Sequence, residues 1–206
     1  LLLSDEYDRR ESKKLTLRLR KANFKPGRSL ENFDFQARGL KVNGAHIFDL
    51  ATCRFIEEHA NVLIVGPTGV GKSHIAEAIG HKACLQGFDV HAMPFNKALA
   101  LLRAGRADGT YDRKLLSLTR PDLLILDDFG LKPMLSPADE DFHELVCERY
   151  ERGSIVITSN LDFTEWGAVF PNKVLGAATI DRLRHQAHRL EIDGESYRKP
   201  KSFTPQ

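Results

Sequence analysis

Cysteine is scarce: Cys53, Cys84 and Cys147 are the only three, far apart and without a CxxC pair. That excludes a disulfide-stapled secreted scaffold and favours reduced, buried thiols in a cytoplasmic protein. Of eight histidines, only His185 and His188 show i, i+3 spacing. Two ligands without a nearby Cys or carboxylate partner make a poor zinc site, and they read as part of a solvated helix face. No apolar run is long enough to span a bilayer. Leu1-Leu2-Leu3 runs at once into charge, which is not a signal-peptide pattern. The chain starts without methionine in a helix-like pattern, so a preceding N-terminal piece is expected.

What is present fits one α/β domain. The 206 residues are 42% hydrophobic and 28% charged, enough for a sizeable core under a soluble surface. The net charge of +2 conceals an asymmetry: residues 1–30 carry nine Lys/Arg against four Asp/Glu. Residues 182–206 carry six against three, and the span between is acidic. Basic ends on an acidic body suggest a polyanionic partner, the plain alternative for the first thirty residues being a solvated charged helix.

Residues 5–22 read as a surface helix or arm, broken by Lys25-Pro26-Gly27. Ser29 to Phe35 reads as an extended lead-in that plants two aromatics on the body, with a helix expected over 47–58. Short apolar strands are expected at 61–65, 89–93, 123–127 and 154–158. Helices at 72–86, 96–104, 137–152 and, after the last strand, 177–187 fill the gaps. The alternation predicts a parallel sheet covered on both faces, with ligands at the carboxyl ends of its strands. The organisation is a basic N-terminal helical arm, 1–30, and a nucleotide-binding domain, 31–206.

Three motifs point to chemistry. "GPTGVGKS" (Gly66, Pro67, Thr68, Gly69, Val70, Gly71, Lys72, Ser73) matches G-x-x-x-x-G-K-[ST] between an apolar strand and a helix that continues through His74. Gly66, Gly69 and Gly71 let the backbone curl its N–H groups towards a phosphate. Lys72 can reach the β- and γ-phosphates, and the Ser73 hydroxyl can ligate Mg²⁺. "DLLILDD" ends a buried strand in two carboxylates, with Asp127 the metal-side candidate and Asp128 the candidate general base. "SIVITSN" is a further buried strand whose end lies beside them; there Asn160 can orient the lytic water or sense the γ-phosphate, or simply close a turn. Against a GTPase, the guanine-reading N-K-x-D is missing; against a protein kinase, there is no H-R-D loop. The phosphate loop alone does not exclude a small-molecule phosphotransferase.

Together with "ENFDF" (31–35), "ITSNLDFTEWGAVF" (157–170) and "DRLRHQAHRLEIDGESYR" (181–198), these motifs resemble the DnaC-like branch of the AAA+ ATPases. The nearest resemblance is to the IstB family, ATP-binding helpers of insertion-sequence transposition, and it covers nearly the whole chain. It implies an AAA+ P-loop fold with a very small or absent C-terminal lid, ATP and Mg²⁺ as cofactors, and an ATP-dependent oligomer. It further implies a sensor role for Asn160, a trans-acting arginine finger at Arg182 and a sensor arginine at Arg198. Asp128 stands where most AAA+ proteins have glutamate. The shorter acid implies slow turnover and favours the transposition helpers over loaders of a replicative helicase, which remain the alternative.

The segment 95–120 holds Lys97, Arg103, Arg106, Arg113 and Lys114 against few acids. Its charge and the resemblance together imply a helical insertion contacting the DNA backbone, with salt-sensitive and weakly sequence-dependent affinity. No transposase active site is legible, so a separate transposase is the expected partner, and no membrane is involved.

Overall fold

The computed structural model describes residues 2–37 and 39–197, with side chains from residue 9 onward. Its centre is a five-stranded parallel sheet of β1 (Val62–Val65), β2 (Val90–Pro94), β3 (Leu123–Phe129), β4 (Ser154–Ser159) and β5 (His188–Glu191). The spatial order is β2-β3-β4-β1-β5. Successive side chains of a strand point to opposite faces. Val62, Ile64, Leu123, Ile125 and Val156 therefore enter one hydrophobic cluster, while Leu63, Val65, Leu124, Leu126, Ile155 and Ile157 enter another. The inner strands β1, β3 and β4 are covered on both sides, which is why these runs lack polar alternation, whereas the edge strand β5 is mixed.

On the first face lie α1 (Leu2–Ala22), α2 (Gly44–Leu50), α3 (Arg54–Glu57) and α4 (Lys72–Gln86). The second face carries α5 (Phe95–Asp108), α6 (Tyr111–Thr119), α7 (Ala138–Arg149) and α8 (Lys173–Arg184). The parallel sheet covered on both faces, expected from the strand–helix alternation, is thus the one observed.

Several boundaries differ from the sequence reading. The helix expected over 47–58 is two short helices, because Cys53 takes a left-handed conformation (φ 61°) and breaks the run. Segment 95–120 is a helical hairpin, turned by Gly109 in the left-handed region. The helix placed after the last strand is followed by a further strand, β5, which pairs with β1 at the sheet edge. His185 caps the end of α8 and His188 starts β5, so the two share no helix face. Among the described residues no group of three or more His, Cys, Asp or Glu is placed to hold a metal. Cys53 and Cys84 are buried, and burial raises each thiol to about 11; Cys147 is only half-buried.

The basic helix α1 forms as expected, but it is docked. Leu15 and Leu19 pack on the core and Ala22 is fully buried. Beyond it, the Glu77 carboxylate of α4 accepts from the Lys25 backbone N–H at 2.8 Å and from Arg28 Nη1 at 2.9 Å. No helix among the described residues is long and apolar enough to cross a membrane.

Candidate nucleotide site

The phosphate loop leaves the carboxyl end of β1 and enters α4. Gly66, Gly69 and Gly71 all have positive φ (153°, 87° and 104°), and each also gives way to a neighbour. A Cβ on Gly66 would meet the Ile192 carbonyl at 2.0 Å, and one on Gly71 would meet the Phe33 ring at 2.6 Å. At Gly69 it would lie 2.1 Å from Ser196 Oγ. The loop is therefore walled on one side by the lead-in segment and on the other by the C-terminal stretch. Tyr197 joins the two walls: its N–H donates to Gly69 O (3.0 Å) and its hydroxyl to Asp34 O (2.6 Å).

Lys72 is buried, and its ammonium donates to Gly66 O and Pro67 O, both at 2.7 Å. The cation thus already lies inside the loop, held by carbonyls. Pro67 and Thr68 are exposed at the loop tip, while Val70 is buried beneath it. His74, one of the candidate nucleotide contacts, turns to the lead-in segment instead. Its Nε2–H donates to Ser29 O at 2.8 Å, and its ring packs edge-on against Phe33. A carbonyl can only accept, which fixes the tautomer.

The two acids are arranged by a residue the sequence reading did not single out. Thr158, fully buried in β4, donates its hydroxyl to Asp127 Oδ1 (2.5 Å) and accepts from the Asp128 N–H (3.0 Å). β3 does not stop at Asp127. It continues to Phe129 with a register shift against β4 after Leu126, and Asp128 takes φ 64° at that irregularity. Such a bulge re-aims side chains, so the neighbouring acids need not alternate across the sheet. Thr158 was visible as a hydroxyl inside an apolar strand, the kind of residue that needs a buried partner.

Trp166 secures the loop that leaves β4. It is fully buried, 4.6 Å from the Phe129 ring, and its indole N–H donates to Leu161 O at 3.3 Å. The Ser159 hydroxyl donates to Phe129 O at 2.9 Å. The segment around Asn160 is thereby fastened to the end of β3, and Asn160 itself is half-buried at the carboxyl end of β4. A cavity of about 280 Å³ opens at this end, lined by Ser73, Asp127, Glu77, Lys97, Pro94 and residues 23–26.

The family of IstB-like ATP-binding proteins matches residues 1–204. The chain belongs to that family. An insertion-sequence ATP-binding protein of Mycobacterium tuberculosis is 38% identical over 201 residues, which are 97% of this chain and 80% of that protein. The IS21 ATP-binding protein of Pseudomonas aeruginosa is 37% identical over 198 residues, 96% of this chain and 74% of that one. Among solved structures, DnaI is similar with a TM-score of 0.68 at 23% identity, covering 80% of this chain and 90% of that chain. DnaA from Aquifex aeolicus with bound AMPPCP is similar with a TM-score of 0.65 at 19% identity, covering 82% of this chain and 51% of that one. Both likenesses concern the AAA+ fold.

The remaining candidate residues of this IstB-like chain are dispersed. Arg182 lies on α8, where Nη1 donates to Ala178 O at 3.0 Å. It lines a small recess with Asn61, Arg149 and Tyr150, residues that precede β1 and β4. It is therefore at the amino ends of the strands, opposite its own phosphate loop. Arg198 lies outside the described residues.

The basic residues of α5 and α6 have different surroundings. Arg106 is committed within the molecule: it pairs with the buried Asp141 carboxylate (2.5 Å) and lies 4.5 Å over the Tyr111 ring. Lys97 lines the cavity beside Ser73 and Asp127. Arg103 borders a separate cleft with Lys132 and Leu135. Arg113 is exposed and Lys114 half-buried on α6, and both cations help lower the Asp108 carboxyl below its usual range, after its bonds from Thr110.

Proposed function

We propose that this protein is an ATP-hydrolysing, DNA-binding assembly factor that self-associates on DNA and assists a separate transposase in the cytoplasm. The observation that carries the reading is the Thr158-bridged pair Asp127 and Asp128 at the end of β3, with Asp127 sharing a cavity with Ser73 beside the phosphate loop. Membership of a family of insertion-sequence ATP-binding proteins supplies the context.

The residues fit a nucleoside triphosphate and a hard divalent cation. The positive-φ glycines keep side chains out of the cradle, and Lys72 is already inside it. The Ser73 hydroxyl and Asp127 are the oxygen donors that Mg²⁺ takes. Thr158 occupies one Asp127 oxygen and leaves the other for the cation. When bound, Mg²⁺-ATP supplies the phosphoryl group whose transfer to water is the reaction. The chain's own part is positional. Asp128 accepts a proton from the attacking water, Asn160 orients that water, and Lys72 offsets charge on the phosphates. Arg182 of a neighbouring copy completes the site, in keeping with its distance from its own loop, and Arg198 is assigned to the phosphate side.

The test is ATPase rate and sedimentation with and without duplex DNA, followed by capture against the cognate transposase and a replicative helicase. DNA-dependent assembly, stimulated turnover and transposase capture are expected. Helicase capture alone would move the reading to a helicase loader. Turnover indifferent to DNA would leave a phosphotransferase.

A further inference from the structure

We infer that the outer face of α1 is the main surface by which this protein grips a nucleic-acid backbone, ahead of the α5–α6 hairpin. The inference rests on the DNA-binding part of the proposed function and assigns its location.

Between Ser12 and Leu30 the chain carries seven Lys/Arg and no Asp or Glu. α1 resolves how those charges face. Leu15, Leu19 and Ala22 turn inward onto α4 and the sheet, and Arg18 is half-buried with Nε 4.0 Å from Asp89. At about 100° per residue, Arg9, Lys13, Lys14, Arg20 and Lys21 fall within an arc of roughly 140° on the opposite side. All five are exposed. Lys14 is partly spoken for by Glu11 at 2.7 Å, which leaves Arg9, Lys13, Arg20 and Lys21 as the working set. They span roughly 18 Å at ~1.5 Å per residue. A duplex presents about ten backbone charges over such a length, at one per ~1.7 Å.

The hairpin compares poorly. Arg106 is paired with Asp141, Lys97 faces the nucleotide-side cavity, and Arg103 borders another cleft. Of its remaining charges, Arg113 and Arg120 share one exposed face of α6, two cations against the four on α1.

The same geometry separates nucleic acid from a lipid surface. An interfacial helix needs an apolar face for the acyl region. The apolar face of α1 is already packed on the body, and Leu17 is the one apolar side chain on its described outer arc. What remains outward is charge in a line, which suits phosphates.

The location also joins the two ligands. α1 runs into residues 23–28, which Glu77 holds against α4, and residues 23–26 wall the cavity containing Ser73 and Asp127. A backbone seated on α1 would bear on the wall of the metal-side cavity.

The test uses a fluorescein-labelled duplex of mixed sequence and its single strand, titrated across a salt series. One variant replaces Arg9, Lys13, Arg20 and Lys21 by Gln; a second replaces Arg103, Arg113 and Lys114. All four α1 positions are exposed, so the melting temperature of the first variant should match the parent and show that it folds. If all four meet phosphates, the slope of log K against log salt falls by up to ~3.6 for duplex, at ~0.9 per contact. The hairpin variant should lose clearly less. An unchanged slope in the α1 variant, with the parent still binding DNA, overturns the location and leaves the functional reading intact. A parent that binds neither strand form at low salt overturns both. Binding of the parent to phosphatidylserine vesicles through these four residues, without DNA binding, would make the face a lipid surface and overturn the inference.

Discussion

Arg149 offers the most direct test of how the site is held. It is 1% exposed and has no carboxylate bonded to it among the described residues. Its Nη1 donates to Leu118 O (2.9 Å), Thr119 O (3.0 Å) and Pro121 O (2.9 Å), and its Nη2 to Asp122 O (3.1 Å) and Ser154 O (2.7 Å). Leu118 and Thr119 end α6, where the last carbonyls have no helical partner and a cation is favoured. One guanidinium thus caps α6 and ties it to the starts of β3 and β4.

Burial pulls the Arg149 pKa well down from its ordinary value, to about 10. At 1.36 kcal/mol per unit, that puts the cost of keeping it charged at about 3 kcal/mol. The four N–H groups of Nη1 and Nη2, shared among five carbonyls at ~1.5–3 kcal/mol per N–H, outweigh it although the buried Nε–H has no partner. Replacement by Met removes donors and charge together, and water recovers part of the loss at the freed carbonyls. The net expected loss is ~3–5 kcal/mol, because several buried carbonyls are left without a donor at ~1–3 kcal/mol each. For a chain of this length the unfolding entropy is ~0.43 kcal/mol/K, so the melting temperature should fall by ~7–12 °C. Arg149→Lys keeps the charge but has three donors for five acceptors, and should lie between. Urea unfolding with calorimetry reads both. A loss under ~1 kcal/mol for Arg149→Met would refute the argument, since the carbonyls would then be satisfied without it.

Lys72→Ala should weaken ATP binding on the order of 10–100-fold, the worth of a charge-assisted hydrogen bond of ~1.5–3 kcal/mol; equilibrium titration with a fluorescent ATP analogue reads it, and equal affinity would refute the loop assignment. Asp128→Asn should keep the backbone, because Asn tolerates positive φ, and should retain nucleotide and Mg²⁺ affinity while hydrolysis falls ~10²–10⁴-fold. If Asp128→Asn loses metal and Asp127→Asn does not, the two roles are reversed. Arg182→Ala and Lys72→Ala, each inactive alone, should recover some ATPase on mixing; co-assembly without recovery would confine Arg182 to a local role. His143 is held neutral: its Nδ1–H donates to Thr179 Oγ1, whose proton goes to Leu175 O, and Nε2 accepts from Cys147. Burial and then Arg182 lower its pKa below 6.5. Its contribution to stability is therefore present above pH 6.5 and lost as pH falls through the folded value. Unfolding curves from about pH 7.5 to about pH 5 should show that loss in the parent and a flatter profile in His143→Gln.

The sequence by itself determined the parts whose chemistry is local. A glycine loop followed by Lys72 and Ser73 needs only its own backbone to curl, and a run such as Leu123 to Leu126 is apolar because both sides of its strand are covered. Those signals sufficed for the strand–helix alternation, the phosphate loop and the acids at the end of β3. What is set by partners distant in the chain was decided only in three dimensions. β5 was missed because four mixed residues, His188 to Glu191, become a strand only when β1 offers its edge. Thr158 acquires its role because β3 and β4 lie side by side, thirty residues apart in sequence. Arg106 left the set of available cations because Asp141, thirty-five residues on, is buried beneath it. Charge can be counted along a chain, but an exposed cation such as Arg106 is offset when the fold sets a carboxylate against it. α1 and the α5–α6 hairpin both read as basic; packing turned the apolar side of α1 inward and its charge outward, and set Asp141 against Arg106 of the hairpin.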